Sequence, residues 1–252
     1  ELRKCLSTKL WWGLLIPVVL LSMLINAFGG LFTDLIAQYG SSGERVPLLL
    51  ILSLAYTMSL TSVFAAVVGA VPAGGEFRHR TVTTTYLLAG RRHAVLLAKV
   101  AVSALVGAGY AAAAAVAGVL TGMLAQTEIM PSLLVLLGLT AAGMLVCALW
   151  AAVGTAVGVA VGNQVGALVV LLVYLLVGEL VVSAVLGQAD AVAVVAAYLP
   201  GNAGDIALYG MSIGEAFPWT DDTSVPEIVG VLAGVSDPPT WWVGLLVLGV
   251  WT

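Results

Sequence analysis

Residues Gly74 to Lys99 read GGEFRHRTVTTTYLLAGRRHAVLLAK, and almost everything on either side of them is apolar. The stretch carries Arg78, Arg80, Arg91, Arg92 and Lys99, five of the nine basic residues of the chain. Short loops rich in Lys and Arg stay on the cytoplasmic side of a membrane. The loop, over about residues 74–93, therefore reads as cytoplasmic and fixes the orientation of every other segment. It is also where a soluble protein could grip so apolar a chain. The plainer reading of the same charges is a topology signal or a contact with lipid headgroups.

The surrounding composition sets the class. Of 252 residues, 61% are hydrophobic and 9% are charged, and the mean hydropathy is +1.11. Soluble domains do not have this composition. Several apolar runs exceed the ~20 residues that cross a bilayer as a helix. They are continuously apolar rather than alternating, which argues against a β-barrel. The expected fold is all-α and polytopic, one transmembrane domain over 1–252. A net charge of −4 gives no reason to expect nucleic acid as a partner. Cys5 and Cys147 lie in the N-terminal segment and mid-span, so no disulfide is expected. The chain opens on Glu1 without Met, and its last apolar run stops at Thr252, so both ends read as truncated.

In chain order, residues 1–10 hold Leu2, Leu6 and Leu10 on one helical face among Arg3, Lys4 and Lys9. This pattern predicts a short interfacial helix. Six spans are expected, over about 11–31, 47–71, 94–124, 131–161, 164–187 and, incomplete, 238–252. Pro17 and Asn26 interrupt the first, which suggests a kink and an amide facing the bundle. Ser53, Thr57 and Thr61 share one face of the second. That face could line a conduit, or its hydroxyls could bond the preceding carbonyls or a neighbouring helix. Gly118 and Gly122 form a G-x-x-x-G pair, and Gly154, Gly158, Gly162 and Gly166 recur every four residues. Small residues at that spacing let helix backbones approach closely, and packing within the chain is expected. Gly162, Asn163 and Gln164 read as a tight inner turn.

The external segment 188–237 carries seven acidic residues and no Lys or Arg. Its apolar runs Ala191–Leu199 and Ala203–Tyr209 are too short to span. Broken at Pro200, Gly201 and Asn202, they suggest a helical hairpin dipping into the outer leaflet. Asp237 and Pro238 read as the N-cap and first turn of the last span.

No G-x-x-x-x-G-K-[ST] motif occurs, so no nucleotide-binding loop is expected in this chain. His79 and His93 sit among cations and read as headgroup or partner contacts rather than metal ligands. No catalytic constellation is evident, and no metal site is expected. Glu179 is the one carboxylate inside a span, in its outer third. Such groups are costly and mark functional sites, or they snorkel or bond a neighbour.

The loop resembles that of the membrane subunits of type-2 ABC transporters, the ABC-2 permeases. The pattern is Glu76, then Arg78, Arg80 and Thr81, the pair Leu87 and Leu88, a break with Arg91 and Arg92, and Lys99 opening the next helix. Arg80 stands where that family often has Gly, and Ala89 and Gly90 where it often has Pro. The interfacial helix, six spans and broken hairpin are similar to that family too, and Leu199 to Ala203 resembles its small actinobacterial members. The resemblance implies a permease subunit that is not itself an enzyme, in the cell membrane, with both termini cytoplasmic. Two cytoplasmic P-loop ATPase subunits would bind ATP and Mg and dock on Glu76, Phe77, Arg78, Arg80, Thr81, Arg91 and Arg92. A second permease chain, identical or homologous, would complete a path for a lipid, drug or peptide-like amphipathic cargo. Ser53, Thr57 and Glu179 are the candidate path residues. An ion-coupled carrier or channel without an ATPase is the alternative, and a membrane scaffold or sensor subunit is a third reading.

Eight of the nine Lys and Arg residues fall inside in this layout, and only Arg45 falls outside. Cysteines introduced at Ser42 and Thr223 are therefore expected to react with an impermeant thiol reagent in intact cells. One at Thr83 is expected to react only after permeabilisation; external labelling there would invert the topology.

Overall fold

The computed structural model describes residues 9–39, 48–78, 92–125, 131–188, 190–216 and 224–252. Most of the interfacial helix expected over 1–10 lies outside these residues; Leu10 already belongs to α1 (Leu10–Tyr39). The long helices that follow are α2 (Leu48–Arg78), α3 (Arg92–Ala125) and α4 (Leu133–Val161). The next span is built from α5 (Gln164–Val173), a π-helical turn (Tyr174–Gly178) and α6 (Glu179–Leu186). Then come α7 (Asp190–Ala193), a 3-10 turn (Val194–Tyr198), α8 (Pro200–Ala216), α9 (Ser224–Ala233) and α10 (Trp241–Val250).

Every element among the described residues is helical, and five spans are long and apolar enough to cross a membrane. These are Leu10–Gly30, Leu50–Glu76, Ala94–Ala125, Leu133–Val161 and Gln164–Leu186. The expected sixth corresponds to α10, with 10 helical residues. It begins at Trp241, after Thr240, rather than at Pro238. Pro239 follows Pro238, and a residue before proline is driven out of the helical region. Asp237 is not a cap either: it sits at φ 49.

α2 is the hub. It packs against α1, α3, α4, α5 and α8, and its widest interface is with α4. Small residues create that interface. A Cβ on Gly154 would strike the carbonyl oxygen of Ala66, and one on Gly69 that of Ala151. One on Gly158 would lie 2.6 Å from the carbonyl oxygen of Ala70. The two backbones therefore meet without intervening side chains, the arrangement that apolar solvent favours. Gly118 and Gly122 serve the same end elsewhere, receiving Asn26 and Leu50 of α1 and α2. The four-residue glycine period, however, changes role at its end. Gly162 closes α4 at φ 63, and its N–H returns to the Gly158 carbonyl. Asn163 then accepts from Val165 and Gly166 and starts α5 at once. Two residues, Gly162 and Asn163, separate the helices, and Gln164 of the expected turn already belongs to α5.

The hairpin before the last helix breaks earlier than its glycine suggests. Leu199 is extended, at φ −70 and ψ 146, because Pro200 follows it. Pro200, Gly201 and Asn202 then form the first turn of α8. α8 packs against α2, α4, α9 and α10 and buries Ile206, Ala207, Leu208 and Ile213 completely. It is a core element of the bundle.

Gly154→Ala is expected to destabilise the solubilised protein by about 2 kcal/mol or more, since backbone cannot yield as a side chain can. Gly109→Ala meets open space and should be neutral or slightly stabilising. Size-exclusion profiles after a heating series would check this; equal midpoints for the two variants would refute the account.

Candidate functional site

Glu179 is 5% exposed, although its neighbours Val177 and Leu180 are 53% and 70% exposed. The π-helical turn explains the difference. Ala167 and Leu171 mark the buried stripe of this span, and a regular helix would continue it at Gly178. The wide turn inserts one residue, so the stripe continues at Glu179. The Glu179 amide bonds the Tyr174 carbonyl five residues back.

That carboxylate meets the start of α8. The amide of Gly201 donates to Glu179 Oε2 at 3.0 Å, and the amide of Asn202 donates to Oε1 at 2.7 Å. The first amides of a helix have no intrahelical acceptor. Normally the side chain just before the helix supplies one, but Leu199 has none to offer. Glu179 does so from another helix, at the positive end of the α8 dipole. Glycine at 201 leaves room for this carboxylate, since a Cβ there would crowd Glu179 Oε2 and push it off the amides. The Asn202 side chain fastens the same corner, donating at 2.8 Å to Ser183 Oγ and at 2.8 Å to the Ala196 carbonyl.

One turn further along α8, Asp205 accepts from Ser59 Oγ of α2 at 2.5 Å. Between the two carboxylates opens a cavity of about 300 Å³. Ser59, Ser62, Trp150, Glu179, Asn202 and Asp205 supply its polar wall, and Leu175 and Leu176 part of its apolar wall. Among the described residues no Lys, Arg or His lines it. Nor does any group of three or more His, Cys, Asp or Glu stand ready for a metal among them.

The candidate path residues divide between two places. Glu179 lies in this cavity, whereas Ser53 and Thr57 face α1. Ser53 Oγ donates to Asn26 Oδ1 at 2.9 Å, and Asn26 Nδ2 donates to Thr57 Oγ1 at 3.1 Å. Thr57 and Thr61 also donate to the carbonyls of Ser53 and Thr57, each at 2.7 Å. The Ser53 and Thr57 hydroxyls thus tie α1 to α2 through Asn26, while Thr61 bonds within α2. The cavity uses Ser59 and Ser62 from elsewhere on α2, which the hydroxyl period did not single out. Asp205 and Trp150 were also missed. The available signal was Asp205 in an apolar run three residues after Asn202.

At the basic loop, Glu76, Phe77 and Arg78 end α2, and Arg92 opens α3. Arg80, Thr81 and Arg91 lie outside the described residues. Glu76 forms an ion pair with Lys99 of α3, and both are largely withdrawn from solvent. Gly74 touches the start of α5: its Cβ would lie 2.9 Å from Gln164 Cα.

Glu179→Ala should lower stability by about 1–3 kcal/mol, the usual effect of orphaning buried donors. Gly201→Ala should act through the same contact, so the double variant should lose less than the sum of the singles. Thermal midpoints of the four proteins in one detergent would measure this; strict additivity would show that the cap is not shared.

Compared with known families and with curated proteins, the chain matches no family model and no curated sequence, so its functional reading rests on its own residues.

Proposed function

We propose that this chain is the membrane-spanning permease subunit of an ATP-driven ABC transporter of the ABC-2 type, exporting an amphipathic cargo such as a lipid, drug or peptide-like molecule. In this reading it carries no nucleotide site. Two cytoplasmic P-loop ATPase subunits bind ATP and Mg, and a second permease chain completes the path in the cell membrane, with both termini cytoplasmic.

The supporting observation is the way the base of the basic loop is held. Glu76 ties the end of α2 to Lys99 of α3. Gly74 seats the same turn on the first residue of α5. A push on Phe77 or Arg78, one and two residues beyond Glu76, would be delivered to three spans together. A loop that served only as a charge signal would not need its base locked to two other helices. α5 also leads through the π-helical turn to Glu179, so a shift at the inner turn has a covalent route to the cavity.

One observation favours a second reading, an ion-coupled carrier. Glu179 and Asp205 are carboxylates at a broken helix inside the bundle, a feature of secondary transporters. The two readings separate in proteoliposomes. The carrier moves cargo down an ion gradient without any ATPase, and the permease does not.

Phe77→Ala, and separately Arg80→Glu, are expected to reduce copurification of the ATPase and cargo-stimulated hydrolysis, with normal membrane insertion. Loss of an aromatic interface anchor typically costs ~2 kcal/mol or more, and reversal of a rim charge mainly slows association. Unchanged ATPase binding by both variants would sink the permease reading and leave the carrier ahead.

A further inference from the structure

The cavity beside Asp205 has two needs that the described residues leave unmet. The first is charge. Glu179 and Asp205 line the same space, and among the described residues no cationic side chain lines it with them. Glu179 accepts from two amides of α8, whereas among the described residues Asp205 accepts from the Ser59 hydroxyl alone. Carboxylates withdrawn from water are stable when a counter-charge reaches them.

The second need is an acceptor. Trp150 is 2% exposed and lines the cavity, and its indole N–H has no hydrogen-bond partner among the described residues. Buried indole N–H groups ordinarily find one. The nitrogen stands beside Gly204, 3.4 Å from the point a Cβ would occupy there. Gly204 also lines the cavity, and the missing side chain leaves room next to the donor. The remaining wall is apolar, and exposed Leu176 and Leu180 stand at its flank.

We propose that this cavity is a binding site for an amphipathic organic ammonium, with the cation against Asp205, an oxygen acceptor of the same molecule on the Trp150 indole N–H, and an alkyl portion along Leu175 and Leu176. A bare metal ion would meet the charge but leave the indole unpaired and the apolar wall empty. A neutral lipid tail would meet neither polar need. An anion would face two carboxylates. As a binding site the inference stands on the cavity alone; as a statement about cargo it rests on the transport reading.

The test uses the purified full chain in dodecyl maltoside and calorimetric titration with three probes. They are hexyl(2-hydroxyethyl)dimethylammonium, hexyltrimethylammonium, which lacks the hydroxyl, and an uncharged ether alcohol of the same length as the first. The hydroxylated cation should bind about tenfold or more tightly than the uncharged alcohol. Asp205→Asn should remove most of that difference. Trp150→Phe keeps the ring and should abolish the preference for the hydroxylated cation over hexyltrimethylammonium. Equal binding of cation and alcohol to the unaltered chain would overturn the site, even if Asp205→Asn failed to fold. An unaltered preference in Trp150→Phe would overturn the role of the indole. Adding the ATPase separates the two proposals: a cation that binds the isolated chain but never stimulates hydrolysis would leave the site standing and sink the transport reading.

Discussion

The contact between α2 and α4 is made of backbone, and the positions of the other helices follow from it. In an apolar solvent, association of apolar helices gains nothing from expelling water, so close packing has to hold them. Ala66, Gly69 and Ala70 on α2 meet Ala151, Gly154 and Gly158 on α4 with no longer side chain between them. With that pair fixed, α1 and α3 close one flank and α5 and α8 another. The polar knot of Asn26, Ser53 and Thr57 joins α1 to α2, where a misplaced helix would leave an amide unsatisfied in hydrocarbon. Packing sets the distances between helices, and the buried hydrogen bonds set which faces meet.

α8 presents a harder problem than the long spans. Its first turn lies inside the fold, where free amide groups are costly. The answer is a carboxylate sent from a different helix, aimed by an inserted residue in the turn before it. Glu179 is therefore a structural acceptor first. By fixing the start of α8 it also sets where Asp205 stands, and so creates the acidic side of the cavity. A charge that a span would otherwise exclude is thus held by the helix dipole and two amide donors.

The end of the bundle that carries the basic loop is joined to this site through continuous elements. The Glu76–Lys99 pair and the Gly74 contact couple the loop base to α3 and α5, and α5 runs by way of its wide turn into Glu179. The base of the basic loop and the cavity are therefore joined through one continuous span.

The sequence by itself determined the class: an all-helical chain, its long apolar spans, the tight turn at Gly162 and Asn163, and Glu179 as the unusual charge. These follow from composition and local chemistry, because a span must be apolar and its turns must carry capping residues. The glycine period was legible as close packing, but not which helix would fill it. The hydroxyl period of Ser53, Thr57 and Thr61 was visible; that it faces Asn26 of α1 was not. Nor could the pattern place Ser59, Trp150, Glu179 and Asp205 around one cavity. They come from four helices separated by up to 146 positions, and no local period records such a meeting. Only the tertiary structure decided it. The amides at the start of α8 had to find an acceptor, and the carboxylate that meets them belongs to another span.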